Sequence, residues 1–223
     1  MMDIACHLNE NRAPAPSTEA LALAAPDRLR GVVRFHESLP GYRPTPLKAM
    51  DALARRLGVS HLWVKDESAR FDLKAFKVLG ASYAIAGIVA RTAKTAPDAL
   101  AFERVAAAAA GIRGLTLVTA TDGNHGRAVA WTAEKLGCRA VVYLPAGASP
   151  HRIEAIRRFG AQAAVVDGNY DDAVRFAARQ AEEKGWRLIQ DTAWSGYERV
   201  PFDIMRGYTT MISEAYAQLP ASG

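Results

Sequence analysis

From residue 115 onward the chain alternates between short apolar runs and longer stretches with helical spacing. The runs Leu115–Ala120, Arg139–Leu144, Ala161–Val166 and Trp186–Gln190 start about 24 residues apart and predict strands. Between the first two, Gly126, Val129, Ala130, Ala133 and Leu136 follow the i, i+3, i+4 spacing of one buried face and predict a helix over Asn124–Leu136. Ile153, Ile156 and Phe159 repeat the pattern, with Pro150 placed for a first helical turn. Val174, Ala177 and Ala178 mark a third helix over Asp171–Lys184. Strand, helix and strand at this spacing predict right-handed crossovers, hence an α/β fold of open parallel sheets with helices on both faces.

Upstream, His61–Lys65 predicts a strand, residues 66–75 a loop, and Phe76 to about Arg91 a helix rich in small residues at Gly80, Ala81, Ser82 and Ala84. Residues 97–113 are helical by their alanine content. Val200–Leu219 predicts the last helix, with Ile204, Tyr208, Met211, Ile212 and Ala215 turned inward, although no later strand follows to cover them. Residues 1–30, which include the Pro- and Ala-rich stretch 11–20, predict a loosely ordered arm.

Composition narrows the function classes. A chain of 223 residues that is half apolar can bury a sizeable core. Its net charge of +5 comes from basic residues scattered along the chain, which reads as a solvated surface and not as a nucleic-acid footprint. Cys6 and Cys138 belong to no paired metal or disulfide spacing, which fits a reducing compartment. The apolar run Ala20–Pro26 is short and lacks the charged flank of a secretory signal. No run approaches the roughly 20 residues needed to cross a bilayer. The expectation is a soluble cytoplasmic protein that binds neither nucleic acid nor membrane.

Candidate chemistry concentrates in two places. In Thr121-Asp122-Gly123-Asn124-His125-Gly126 a strand gives way to a helix. A phosphate cradle is disfavoured because Asp122 would repel the anion and the glycine spacing matches neither common phosphate loop. Zinc is disfavoured because Asp122 and His125 have no neighbouring Cys or His cluster to complete four ligands. A helix cap by Thr121 or Asp122 and a catalytic turn both remain open. The second place is Leu73–Ala84, where Lys77 lies between Phe76 and Val78 and is followed by Gly80-Ala81-Ser82. A partly apolar setting would lower the lysine pKa and free its amine for Schiff-base chemistry, with room beside it for a flat ligand. Lys74 is the competing amine. Asp191 is expected at the C-terminal end of a strand, where open α/β sheets place ligands.

Pro44-Thr45-Pro46-Leu47, Val64–Ser68, Ala75–Ala84, Asp122–Gly126 and Gln190–Trp194, in this order, resemble the tryptophan-synthase-β-like group of pyridoxal-phosphate enzymes. Within that group the pattern is most similar to the diaminopropionate ammonia-lyases. The chain departs from dehydratase-like members by Asp122 where they carry serine, and by Ala75 before Phe76-Lys77. The resemblance implies a two-domain fold type II architecture. It implies an arm over 1–30, the start of a large cofactor domain over 31–80, a small α/β domain over 81–180, and a return to the large domain over 181–223.

The resemblance also implies pyridoxal 5'-phosphate as cofactor, Lys77 as its Schiff-base lysine, and Gly123 and Asn124 against its ring with Asn124 on the phenolic oxygen. Asp122 and Asp191 would be the catalytic carboxylates, and His125 a support for the turn without a catalytic role. The implied reaction is α,β-elimination of 2,3-diaminopropionate to pyruvate and ammonia by a homodimer. Carboxylates suit a substrate with two cationic amines better than a serine would. A threonine or serine dehydratase-like lyase, or a non-enzymatic α/β binding module, are the alternatives. The group's phosphate-holding Gly-rich loop is expected beyond the segment that matches 200–219. The 17 glycines here include no adjacent pair, so the second half of the large domain is expected to be missing and the chain, as it stands, inactive.

Overall fold

The computed structural model describes residues 26–95 and 100–220. The arm expected over 1–30 lies outside them as far as residue 25, and so do residues 97–99 of the alanine-rich segment. From Pro26 the chain is already helical. Helix α1 spans Pro26–Glu37, inside the segment expected to be loose up to residue 30. Val32 and Phe35 on one face are fully buried, a short amphipathic stripe not singled out in the sequence.

Next come strand β1 (Leu47–Ala49), helix α2 (Asp51–Leu57) and strand β2 (Trp63–Lys65); β1 and β2 pair antiparallel in the register Leu47 with Lys65. A tight 3-10 segment, Glu67–Asp72, leads to α3 (Lys77–Thr92) and then α4 (Phe102–Ala110). The main sheet is built from β3 (Thr116–Ala120), β4 (Arg139–Pro145), β5 (Gln162–Val166) and β6 (Arg187–Leu188). The helices α5 (Asn124–Leu136), α6 (Pro150–Arg157) and α7 (Tyr170–Lys184) connect them, and α8 (Arg199–Gln218) follows.

The main sheet is parallel throughout, in the order β5-β4-β3-β6, with helices on both faces, as expected. Alternation along the strands feeds two cores. Leu117, Ala140, Val142 and Leu144 point to one core with Val129 and Ile156, while Val118, Ala120, Val141 and Tyr143 meet Ala173, Ala177 and Ala181 of α7 in the other. The expected strand Trp186–Gln190 shrinks to two residues. Ile189 still donates to the Val118 carbonyl, but the Gln190 amide turns away to the Tyr197 hydroxyl and ends the ladder.

Helix α8 is buried by helices, not by a strand. It crosses α3 where each contributes a glycine, and a Cβ on Gly207 would collide with the Leu79 carbonyl and the Gly80 Cα. His36 of α1 locks the crossing, with Nε2 donating to the Leu79 carbonyl at 2.9 Å and Nδ1 accepting from the Thr210 hydroxyl at 2.7 Å. Burial pushes that imidazole down to about 3, so it packs as a neutral ring. The inward face of α8 is therefore Ile204, Gly207 and Thr210, and Ile212, expected inside, is 62% exposed. The expected domain boundary at 80/81 falls inside α3, which packs on α5 as well as α8.

Candidate active site

The strand order places a topological switch point between β3 and β6. The chain leaves β3 toward β4 and β5 on one side and returns through α7 to β6 on the other. Loops at the C-terminal ends of such strands diverge and leave a crevice. Asp122 follows β3 by two residues, and Asp191 follows β6 by three. Both line a cleft of about 490 Å³ together with Lys77, Gly123, Asn124, His125, Tyr170 and Arg152. Each candidate from the sequence is thus brought to one place, while Lys74 is exposed and is not among the residues lining the cleft.

Lys77 is the first residue of α3. The preceding segment is tightly coiled, with Phe71, Asp72 and Lys74 at positive φ, a setting that costs free energy in non-glycine residues and is held by neighbouring packing. The Phe71 ring packs on Trp131 at 5.0 Å, and Arg70 and Leu73 are buried. Lys77 Nζ donates to Asp191 Oδ2 at 2.8 Å, with 31% of the lysine side chain exposed. Burial opposes the charged amine, but the hydrogen bond and charge of Asp191 outweigh it and the lysine pKa is raised. The expectation of a lowered pKa is corrected, because apolar surroundings alone ignored the carboxylate delivered from the far end of the sheet. Gly80 likewise leaves no room for a flat ligand, since a Cβ there would lie 2.5 Å from Tyr208 Cε1 and 2.7 Å from Ile204 Cγ2.

The turn after β3 is organised by Thr121, whose hydroxyl accepts from the amides of Gly123 at 2.9 Å and Gly126 at 3.1 Å. Thr121 therefore satisfies a first-turn N–H of α5, although the cap position itself is Gly123, without a side-chain cap. Gly123 adopts φ +157°, which L side chains rarely do, and Gly126 packs directly on Thr121 and Val142. Asp122 takes no capping role, and its side chain and that of Asn124 stand exposed on the cleft wall.

His125 is buried, and its Nε2 meets the Ile189 carbonyl at 2.7 Å. A carbonyl only accepts, so Nε2 carries the hydrogen and Nδ1 is bare, 3.7 Å from Asp191 Oδ2. Complete burial holds the imidazole below its ordinary range, so it stands neutral beside the carboxylate and ties the β3 turn to the end of β6. Burial also disfavours the charged form of Asp191, but its pKa is lowered because neighbouring positive charge prevails. With His125 neutral, that charge is Lys77's.

Three participants were missed in the sequence. Gln190 is fully buried, accepts from the Thr119 hydroxyl and the Ala120 amide at 3.1 Å each, and donates to the Tyr170 hydroxyl at 2.9 Å. Tyr170 thereby reaches the cleft from the start of α7. The stem of Arg152, expected to be merely solvated, lies across the turn, with Cδ 3.7 Å from a Cβ placed on Gly123. Gln190 stands in the motif Gln190–Trp194 but with no role assigned, and for Tyr170 and Arg152 the sequence pattern carried no signal, because each role depends on packing between elements apart in the chain.

A lysine amine paired to a carboxylate thus faces a glycine-containing turn at the switch point of an open α/β sheet, in a cleft of small-molecule size. The chain belongs to the pyridoxal-phosphate-dependent enzyme family, whose profile matches residues 38–222. Over 190 residues, 85% of this chain, it is 47% identical to diaminopropionate ammonia-lyase of Escherichia coli K12, of which it covers 47%. It superimposes with a TM-score of 0.81 and 46% identity on the crystal structure of the Escherichia coli diaminopropionate ammonia lyase in complex with D-serine, covering 85% of this chain and 48% of that one. The likeness to L-threonine dehydratase of Haemophilus influenzae is weaker, 28% identity over 178 residues, 78% of this chain and 28% of that protein. The chain spans about half the length of the ammonia-lyases it matches. Among the described residues no helix is long and apolar enough to cross a membrane, and no three metal-ligating side chains cluster.

Proposed function

We propose that the whole protein catalyses pyridoxal-phosphate-dependent α,β-elimination of 2,3-diaminopropionate to pyruvate and ammonia. The observation that carries this reading is the convergence of Lys77, Asp122, Asn124 and Asp191 on one cleft at the switch point. The residues present fit the ring end of the cofactor: an accessible amine on the cleft wall, a glycine turn that permits close approach, and Asn124 as a donor for the phenolic oxygen. When bound, the cofactor supplies an electron sink for the carbon that loses its proton.

The chain's own groups do the rest. Lys77 would hold the cofactor through its amine. Asp122 and Asp191 would serve as general base for the α-proton and general acid for the departing β-amine, work worth roughly 10²–10⁴-fold. Two carboxylates also attract a substrate that carries two ammonium groups. Asp122, in the place where dehydratases carry serine, favours the diamino acid over a hydroxy amino acid. Gly123 would lie against the ring, and His125 holds the two loops in register without moving a proton.

Adding cofactor to the whole protein should produce the absorbance band of a lysine-bound pyridoxal, lost in Lys77→Ala. Pyruvate from 2,3-diaminopropionate should exceed 2-oxobutyrate from threonine. A colourless protein, or a preference for threonine, would reject the reading.

We also propose a homodimer in the cytoplasm, with the large-domain and small-domain division at residues 31–80, 81–180 and 181–223. Exposed apolar side chains on α8, Met205, Ile212 and Tyr216, support a surface that is covered in the assembled protein. The free thiol of Cys138 supports a reducing compartment.

A further inference from the structure

One group beside Lys77 lacks a well-formed partner. The Tyr208 hydroxyl is buried and short of full hydrogen-bond geometry to every described residue, although it lies near enough to the Lys77 amine for the two to shift each other's charge. A buried hydroxyl left this way costs free energy, and such groups are uncommon in folded proteins. Its position is not slack. Tyr208 follows Gly207, where α8 touches the backbone of α3, and its ring edge lies where a Cβ on Gly80 would be. Phe76 packs against the ring nearly edge-on, with centroids 5.0 Å apart, and Lys77 Nζ lies 5.7 Å from the ring centroid. The phenol ring is thus pinned beside the amine.

Asp191 is the present partner of that amine. A carboxylate accepts hydrogen bonds only, so it holds an ammonium well and a neutral amine poorly. It also cannot hold Lys77 and exchange protons with a substrate through the same oxygen. A phenol both accepts and donates, so it can hold the amine in either protonation state. Burial pushes the Tyr208 phenol up, against the opposing charge of Lys77, so it keeps its proton.

We propose that Tyr208 is a positioning residue for Lys77, its hydroxyl taking the amine as hydrogen-bond partner whenever Asp191 gives it up. This rests on the reading of Lys77 as the cofactor-capturing amine. The other titratable groups facing that amine are Asp191 beyond β6 and His125 on α5, with Asp122 and Tyr170 across the cleft.

The test needs no cofactor. Competitive labelling with trace acetic anhydride across a pH series, read by mass spectrometry on the peptide that contains Lys77, reports the amine directly. Asp191→Asn is compared with Asp191→Asn/Tyr208→Phe, in which the ring and its packing remain and only the hydroxyl is lost. Because a hydrogen bond to the ammonium is stronger than one to the amine, the double variant should label with a lower pH midpoint than the single one. An equal or higher midpoint overturns the proposal. If circular dichroism shows the double variant unfolded, Tyr208→Phe against the unaltered protein is read the same way, with the same two outcomes. A chain that failed to take cofactor could still pass or fail here, so the two readings fall separately.

Discussion

Lys77 Nζ and Asp191 Oδ2 meet at 2.8 Å, joining the first residue of α3 to the loop beyond β6. The pair makes the stability of the site pH-dependent at both ends. Asp191 has a lowered folded pKa, so its contribution is present above the ordinary carboxyl value of 3.8 and is lost as pH falls through the folded one. Lys77 has a raised folded pKa, so its contribution is present below the ordinary 10.5 and is lost as pH rises through the folded one. The lysine is partly solvated, so the pair contributes on the order of 1 kcal/mol. Asp191→Asn should lower stability by that amount near neutrality, with the gap to the unaltered protein closing in acid and in alkali. Urea titrations over a pH series would show it, and a gap that persists at both extremes would remove the ion pair as its cause.

The α3–α8 crossing sets two effects of glycine substitution against each other. Alanine in a helix interior is ordinarily better than glycine by about 1 kcal/mol. At Gly207 the added methyl would meet the Leu79 carbonyl and the Gly80 Cα, backbone atoms that cannot swing aside. Overpacking of this kind costs about 1–3 kcal/mol and should win. Gly207→Ala is expected to destabilise the fold in thermal or urea melts despite its better propensity. At Gly80 the neighbours are the Tyr208 and Ile204 side chains and the Ile204 carbonyl, so Gly80→Ala should also displace the Tyr208 ring from Lys77.

The same crossing shows how far the sequence was legible. Helix α5 has the bounds that its spacing predicts, Asn124–Leu136, because small and apolar residues on one face record a buried stripe directly. Strands β3 and β4 are buried on both sides, so their mostly apolar runs, broken in β3 only by Thr116 and Thr119, are equally plain. Strand β1 and helix α2 are short and mostly exposed, with only Ala54 buried in α2, so neither carries a period. Gly80 and Gly207 are visible as small residues, but nothing local says that they serve helix packing and not a ligand. In the site, Lys77, Asp122, Asn124 and Asp191 were readable because each stands at an element boundary beside a motif. The charge state of Lys77 was not, since its partner lies 114 residues away and is brought near only by the return of the chain to β6.

A second buried charge cluster ties α8 to the segment that leads into α3. Arg70, 1% exposed, spans Glu67 and Glu214, donating to Glu214 at 2.8 and 2.7 Å, and Lys65 reaches Glu214 at 2.7 Å. Burial opposes the Glu214 charge, but Arg70, Lys65 and Tyr42 outweigh it and bring the carboxyl down to about 2. Since that value is lowered, the stability it contributes is present above 4.5 and is lost as pH falls toward 2. Breaking a buried pair by removing one partner costs about 3–5 kcal/mol. Glu214→Gln should therefore cost about 3 kcal/mol at neutral pH and progressively less as the pH approaches 2. Denaturant melts at neutral and acidic pH test this, and a cost independent of pH would assign it to packing instead.

The turn that carries Asp122 and Asn124 depends on one oxygen. Thr121 Oγ1 accepts from the Gly123 and Gly126 amides, and Gly126 is buried, so water cannot easily replace that acceptor. Thr121→Val keeps the methyl that packs on Gly126 but strands those donors, at about 1–3 kcal/mol. The added methyl of valine gains at most about 0.8 kcal/mol of burial, which is too little to compensate. Thr121→Ser keeps the acceptor and loses the methyl, leaving a small void against Gly126. The serine variant should retain the amide shifts of residues 122–126 in nuclear magnetic resonance spectra and the pyridoxal absorbance band, at somewhat lower stability. The valine variant should lose both ahead of any global unfolding. If the two variants behaved alike, the methyl and not the hydroxyl would be what shapes the turn, and the placement of Asp122 would have to be traced to packing under α5.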